Sequence, residues 1–141
     1  AMHMAWVRQV AGRLKSDYRY SNRIVYNNFP WPAAPTAAQR ARVEEAARRI
    51  LDLRVELGDG RSGFLPGAKK GVPGACLADL YDPEAMPLAL FKAHRALDRA
   101  VDRCYRRERF TSDRQRVEFL FALYEQLASP LLPRDRGKKP R

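Results

Sequence analysis

Apolar positions in this chain recur at helical spacing in four stretches and lose that period between them. Trp6, Val7, Val10 and Leu14 share one face of a helix expected over residues 2–14, with Gly12 near its end as a natural C-terminal turn. Residues 18–29 are rich in Tyr, Ile, Val and Asn and read as a short strand or extended segment, with Ile24 and Tyr26 on one face. Pro30, Pro32 and Pro35 then forbid regular structure. Thr36-Ala37-Ala38-Gln39 is a capping-box pattern and opens a second helix, whose apolar face is Val43, Ala46, Ala47, Ile50, Leu53 and Leu57.

Residues 58–75 hold most of the eight glycines together with Pro66 and Pro73, and predict a long loop with Lys69 and Lys70 at its tip. Residues 76–81 suit one helical turn, and Asp82-Pro83-Glu84 suits another helix start. From Pro87 to Arg107 a stripe runs through Leu90, Phe91, His94, Leu97, Val101, Cys104 and Tyr105. Thr111, Ser112 and Asp113 are alternative caps for a last helix, which carries Val117, Leu120, Phe121, Tyr124 and Leu127. Pro130 and Pro133 stop it, and Arg134–Arg141 reads as a basic disordered tail. The fold expected is mainly α: a small bundle of about three to five helices, with a short extended segment near residues 18–29. Its parts are 1–32, a helical region over 33–129 and the tail 130–141.

The 141 residues suffice for one domain with a modest core. Lys and Arg outnumber Asp and Glu by 27 to 16, a net charge of +11 that favours a polyanionic partner. A membrane is disfavoured because no apolar run approaches the roughly 18 to 20 residues of a spanning helix. Ala1–Leu14 does not read as a signal peptide, since Arg8 and Arg13 interrupt it. The chain opens into its first helix without an N-cap residue, which suggests a piece cut from a longer protein or a scar at Ala1.

Catalytic chemistry is not legible. His3 and His94 are the only histidines, and His94 sits on an apolar stripe as a core or boundary residue. Cys76 and Cys104 lack metal-ligand spacing and read as free thiols of a cytoplasmic protein. No Gly-rich phosphate loop follows a strand, and no cofactor or metal site is expected. Asn28-Phe29-Pro30-Trp31 lacks the second proline of the motif with which adenine methyltransferases grip a flipped base; it reads as an aromatic–proline corner packing against a helix.

The segment that carries chemistry is Gly12-Arg13-Leu14-Lys15-Ser16-Asp17-Tyr18-Arg19-Tyr20-Ser21. In a major groove the Lys15 ammonium can donate to guanine O6 and N7 while the Asp17 carboxylate accepts from cytosine N4, so the two together specify one G·C pair. Arg13, Ser16, Arg19, Ser21, Asn22 and Arg23 suit phosphate contacts that set register without reading sequence. The plain alternative is a loop in which Lys15 and Asp17 face water or pair with neighbours. The mixed charges of the second helix, Arg40, Arg42, Arg48, Arg49 and Arg54 among Glu44, Glu45, Asp52 and Glu56, read most simply as a solvated face with ion pairs.

That segment, with Ile24-Val25-Tyr26-Asn27-Asn28-Phe29-Pro30-Trp31-Pro32, resembles the C-terminal part of the MmeI-like DNA methyltransferases. So do Leu77-Ala78-Asp79-Leu80-Tyr81-Asp82-Pro83, Met86-Pro87, His94-Arg95-Ala96-Leu97-Asp98-Arg99-Ala100-Val101-Asp102 and Glu118-Phe119-Leu120-Phe121-Ala122-Leu123-Tyr124-Glu125. The resemblance spans roughly residues 2–128. It implies a parent with an upstream adenine-N6 methyltransferase domain that uses S-adenosylmethionine, sometimes with a fused endonuclease, followed by a target-recognition domain and a helical C-terminal region. This chain would then be the non-catalytic end of target recognition plus that helical region. Its partners would be double-stranded DNA and the upstream domains, with artificial self-association of the isolated piece. In the family the positions matching Lys15 and Asp17 vary as a charge pair, and Lys-x-Asp implies selection of guanine on the modified strand. Two other readings are a structural scaffold of the same enzyme without base readout, and a free-standing basic RNA-binding protein.

Overall fold

The computed structural model describes residues 2–58, 77–84 and 86–129. The expected loop beyond Gly58, with Lys69 and Lys70, Cys76 and the expected tail at 130–141 lie outside the described residues. Two compact units form. One joins residues 1–32 to residues 110–141, and the other is Ala33–Arg109.

In the first unit, α1 (Met2–Val10) buries Met2, Ala5, Trp6 and Val7, the spacing of a single helical face. It stops at Val10 rather than reaching residue 14, because Gly12–Leu14 is withdrawn into a strand. That strand, β1 (Gly12–Leu14), pairs antiparallel with β2 (Asp17–Arg19) in the register Gly12↔Arg19, Arg13↔Tyr18 and Leu14↔Asp17. The extended segment expected near residues 18–29 is thus present but ends at Arg19. Asn22–Tyr26 coils into a π-helical turn, closed by Asn27 N–H donating to the Asn22 carbonyl at 2.8 Å.

Side chains at both ends explain the turn. The Ser21 hydroxyl accepts from the Ile24 N–H, and the Asn28 carboxamide donates to the carbonyls of Arg23 and Ile24. These local bonds compete with a sheet ladder. Only Val25 of the turn is buried, and the Trp6 indole N–H donates to its carbonyl at 3.2 Å. Ile24 and Tyr26 are exposed, so they are not the shared inner face of a strand.

Phe29 and Pro30 are buried, and the Phe29 ring meets His3 and Trp6 of α1, so the aromatic–proline corner packs on a helix. The last helix, α5 (Asp113–Ala128), is capped by Ser112, whose hydroxyl accepts from the Gln115 N–H. It brings Phe121 and Tyr124 to within 5.2 and 5.7 Å of the Trp6 ring and buries Leu120 completely. An Arg8–Asp113 ion pair at 2.6 Å ties α1 to the start of α5.

The second unit is an antiparallel-type helix pairing built by α2 (Ala37–Leu57) and α4 (Leu88–Tyr105), with the short α3 (Leu77–Leu80) against α2. Its core is Ile50, Leu53, Leu80, Leu90 and Ala93. The capping box forms as expected: Thr36 Oγ1 accepts from the Gln39 N–H, and Gln39 Oε1 accepts from the Thr36 N–H. Asp82 does not start a helix. Its carboxylate accepts from the Glu84 N–H in a turn, and α4 begins at Leu88 after Pro87. His94 is half-buried against Tyr81, its Nε2 3.1 Å from the Tyr81 hydroxyl.

Candidate nucleic-acid interface

The β1–β2 pairing leaves Lys15 and Ser16 as a two-residue hairpin loop. Two-residue loops that match strand twist need a positive φ at one or both positions, which favours Gly or Asn. Here Lys15 takes it, with φ 58°, and it is the one non-glycine residue with positive φ among those described. A left-handed backbone at a residue with a Cβ costs about 1–2 kcal/mol. The fold therefore holds an ammonium at the hairpin apex in a conformation that a glycine would adopt more readily.

Opposite residues of an antiparallel pair project from the same face. Leu14 and Asp17 are opposite, as are Gly12 and Arg19, so Asp17 and Arg19 share one face. Arg13 and Tyr18 share the other. There the Arg13 guanidinium lies 4.4 Å over the Tyr18 ring centroid and donates to its hydroxyl at 3.2 Å. Every residue from Gly12 to Tyr20 is exposed. The side chains of Lys15 and Asp17 make no ion pair or hydrogen bond among the described residues. Both side chains are exposed near the apex.

The six phosphate candidates divide by what they already do. Ser16 sits in the apex with Lys15. Arg13 is stacked, which fixes the plane of its guanidinium and leaves further N–H donors open. Arg19 and Ser21 line an open concavity of about 470 Å³ with Gly12, Tyr20, Ile24 and Val25. The Ser21 hydroxyl accepts from the Ile24 N–H, and its own proton is left to donate to a phosphate oxygen. Asn22 and Arg23 are exposed on the π-helical turn.

Sequence reasoning missed the supports of this surface. Tyr18 braces Arg13, and Tyr20 meets His3 Nε2 at 3.0 Å. His3 itself is held below the ordinary histidine range by burial, and its Nδ1 is buried without a partner. The signal was present in the two tyrosines interleaved with the cations, but the cross-strand register that pairs them was not. Among the described residues, no three His, Cys, Asp or Glu side chains are placed to share a metal ion. No described helix is long and apolar enough to cross a membrane.

The ribbon carries an exposed cation and an exposed anion at its apex, and comparison with known proteins matches two domain models in order along the chain. Residues 1–33 match the model of the MmeI target recognition domain, and residues 35–132 match that of the MmeI C-terminal domain. DNA methyltransferase A of Bacillus subtilis (strain 168) is 44% identical over 126 residues, which is 89% of this chain and 12% of that protein. The solved structure of the Type IIL restriction-modification enzyme MmeI in complex with DNA is 42% identical, with a TM-score of 0.71, and covers 91% of this chain and 15% of that one. The chain thus spans a small fraction of the relatives that it matches. From these matches, the chain belongs to the MmeI family, with residues that match its target recognition domain followed by residues that match its C-terminal domain.

Proposed function

We propose that this chain is the DNA-recognition and clamping part of a site-specific adenine-N6 DNA methyltransferase of the restriction–modification kind. Lys15 and Asp17 read one G·C pair at the end of the target, and Arg13, Ser16, Arg19, Ser21, Asn22 and Arg23 hold the flanking phosphates. The observation that carries this reading is the hairpin apex: a strained, unpaired ammonium two residues from an unpaired carboxylate. A two-stranded ribbon fits a major groove about 12 Å wide, where guanine presents O6 and N7 and cytosine presents its N4 donor. The Lys15 ammonium matches the first and the Asp17 carboxylate the second.

The chain's own contribution is binding and orientation. Methyl transfer from S-adenosylmethionine belongs to the upstream domain of the parent, as does any cleavage. The test is the methylated motif of the intact parent, with and without the paired change Lys15→Glu and Asp17→Arg. The reading expects one terminal base to switch from guanine to cytosine with the rest unchanged. An unchanged motif at full activity overturns it and leaves the region as scaffold.

A further inference from the structure

The second unit carries a cluster of cations of its own. Gln39 and Arg42 of α2 and Ala96, Arg99, Ala100 and Arg103 of α4 line an open groove of about 220 Å³. Its lining thus holds two alanines and three arginines. None of Arg42, Arg99 and Arg103 has a side-chain ion pair or hydrogen bond among the described residues. Of the ion pairs expected on the solvated face of α2, Arg49 with Glu56 forms at 2.9 Å, while the Nε of Arg54 is buried without a partner. Arg42 is left out, although Glu45 lies three residues along the same helix.

Ordinary helix electrostatics does not account for this arrangement. Arg103 near the C-terminus of α4 is favourably placed, but Arg99 lies one turn before it, and like charges at that spacing repel. Arg42 stands in the second turn of α2, near the positive end of that helix, whose first turn holds no acidic residue. Gln39 holds the two helices together here, because its Nε2 donates to the Arg103 carbonyl at 2.6 Å. Three arginines without side-chain partners among the described residues therefore line one groove, beside the Gln39 bond that ties α2 to α4.

The geometry points to a second phosphate-binding site: Arg42, Arg99 and Arg103 grip the backbone of duplex DNA independently of the recognition hairpin. This rests on the DNA-binding reading above. The guanidinium fork suits phosphodiester oxygens, and Gln39 is committed to the fold, so the site holds backbone without reading bases.

The experiment is binding of a labelled mixed-sequence duplex to the 141-residue chain across a salt series. Each phosphate contact contributes about 0.9 to the slope of log affinity against log salt. Replacing Arg42, Arg99 and Arg103 together by Gln should lower the magnitude of that slope by about two to three. Each single change should lower it by about one, and Arg42→Lys should retain it. The unfolding midpoint of the triple variant should hold or rise, since a repulsive cluster is relieved; a structural role predicts a fall. Wild-type binding with an unchanged slope in the three single variants overturns the site and leaves the hairpin reading intact. Saturation by inorganic phosphate with no change in the duplex slope assigns the groove to a free anion and also overturns it. No salt-dependent duplex binding by the wild type overturns both readings.

Discussion

Lys15 tests whether a recognition residue is held at the expense of the fold. Replacement by Ala or Gly removes the same ammonium, so neither retains the guanine contact. The two differ in the backbone. With φ at 58°, Ala keeps the left-handed cost of about 1–2 kcal/mol, whereas Gly sheds it. Gly also loosens the unfolded chain, which offsets about 0.4–1 kcal/mol. Lys15 is exposed and without partners, so no packing is lost in either case. The net expectation is that Lys15→Gly is more stable than Lys15→Ala by roughly 0.5–1 kcal/mol. The assay is amide hydrogen exchange across residues 12–19, which reads the opening of the hairpin itself. Protection should differ by roughly two- to five-fold in favour of Gly. Both variants of the parent should lose discrimination at the terminal base by about 1–3 kcal/mol. Equal or greater protection in the Ala variant would refute the strained apex. Retained discrimination in both would refute the ammonium as reader.

Three further outcomes follow from the packing. Trp6→Phe trims the buried ring and leaves the Val25 carbonyl without the indole N–H, so urea unfolding should show a loss of at least about 1–3 kcal/mol; no loss means that the bond contributes nothing. Gln39→Ala removes one arm of the capping box and the tie to the Arg103 carbonyl, and calorimetry should show a lower midpoint from a loss of about 1–2 kcal/mol. His3 is held below its ordinary pKa of 6.5 by burial, so the unfolded chain binds its proton first as pH falls. Stability should drop as pH decreases from about 6.5 towards the folded pKa, and His3→Gln should flatten that part of a midpoint-versus-pH curve; an unchanged curve excludes His3 as its source.

What was legible in the sequence was local chemistry. The Thr36–Gln39 capping box and the helices α4 and α5 rest on residues within a few positions of one another, and all three form, although Phe91, Phe121 and Leu127 of the expected stripes are exposed. Ser112 prevailed over Thr111 and Asp113 because Gln115 answers it from both sides, its N–H donating to the Ser112 hydroxyl and its Oε1 accepting from the Thr111 N–H. The hairpin was not legible, since its strands are short and exposed on both faces and its loop has neither Gly nor Asn. The β-rich composition of residues 22–26 misled because one long-range bond from Trp6 and two local polar side chains outweighed propensity. Ala93 and Asp102 are buried on α4 although neither belongs to the apolar stripe read from the sequence. The triple-arginine groove joins residues far apart along the chain, so no window of sequence contains it.

The packing of α5 bears on how specificities can be exchanged between relatives. The family boundary falls between residues 33 and 35, yet the helix that seats Trp6 arrives from residues 113–128, beyond the whole of the second unit. A recognition cassette cut at that boundary would carry Trp6 away from Phe121 and Tyr124, and Arg8 from Asp113. A graft that moves the hairpin and α1 should therefore take α5 with it, or leave Trp6 without Phe121 and Tyr124.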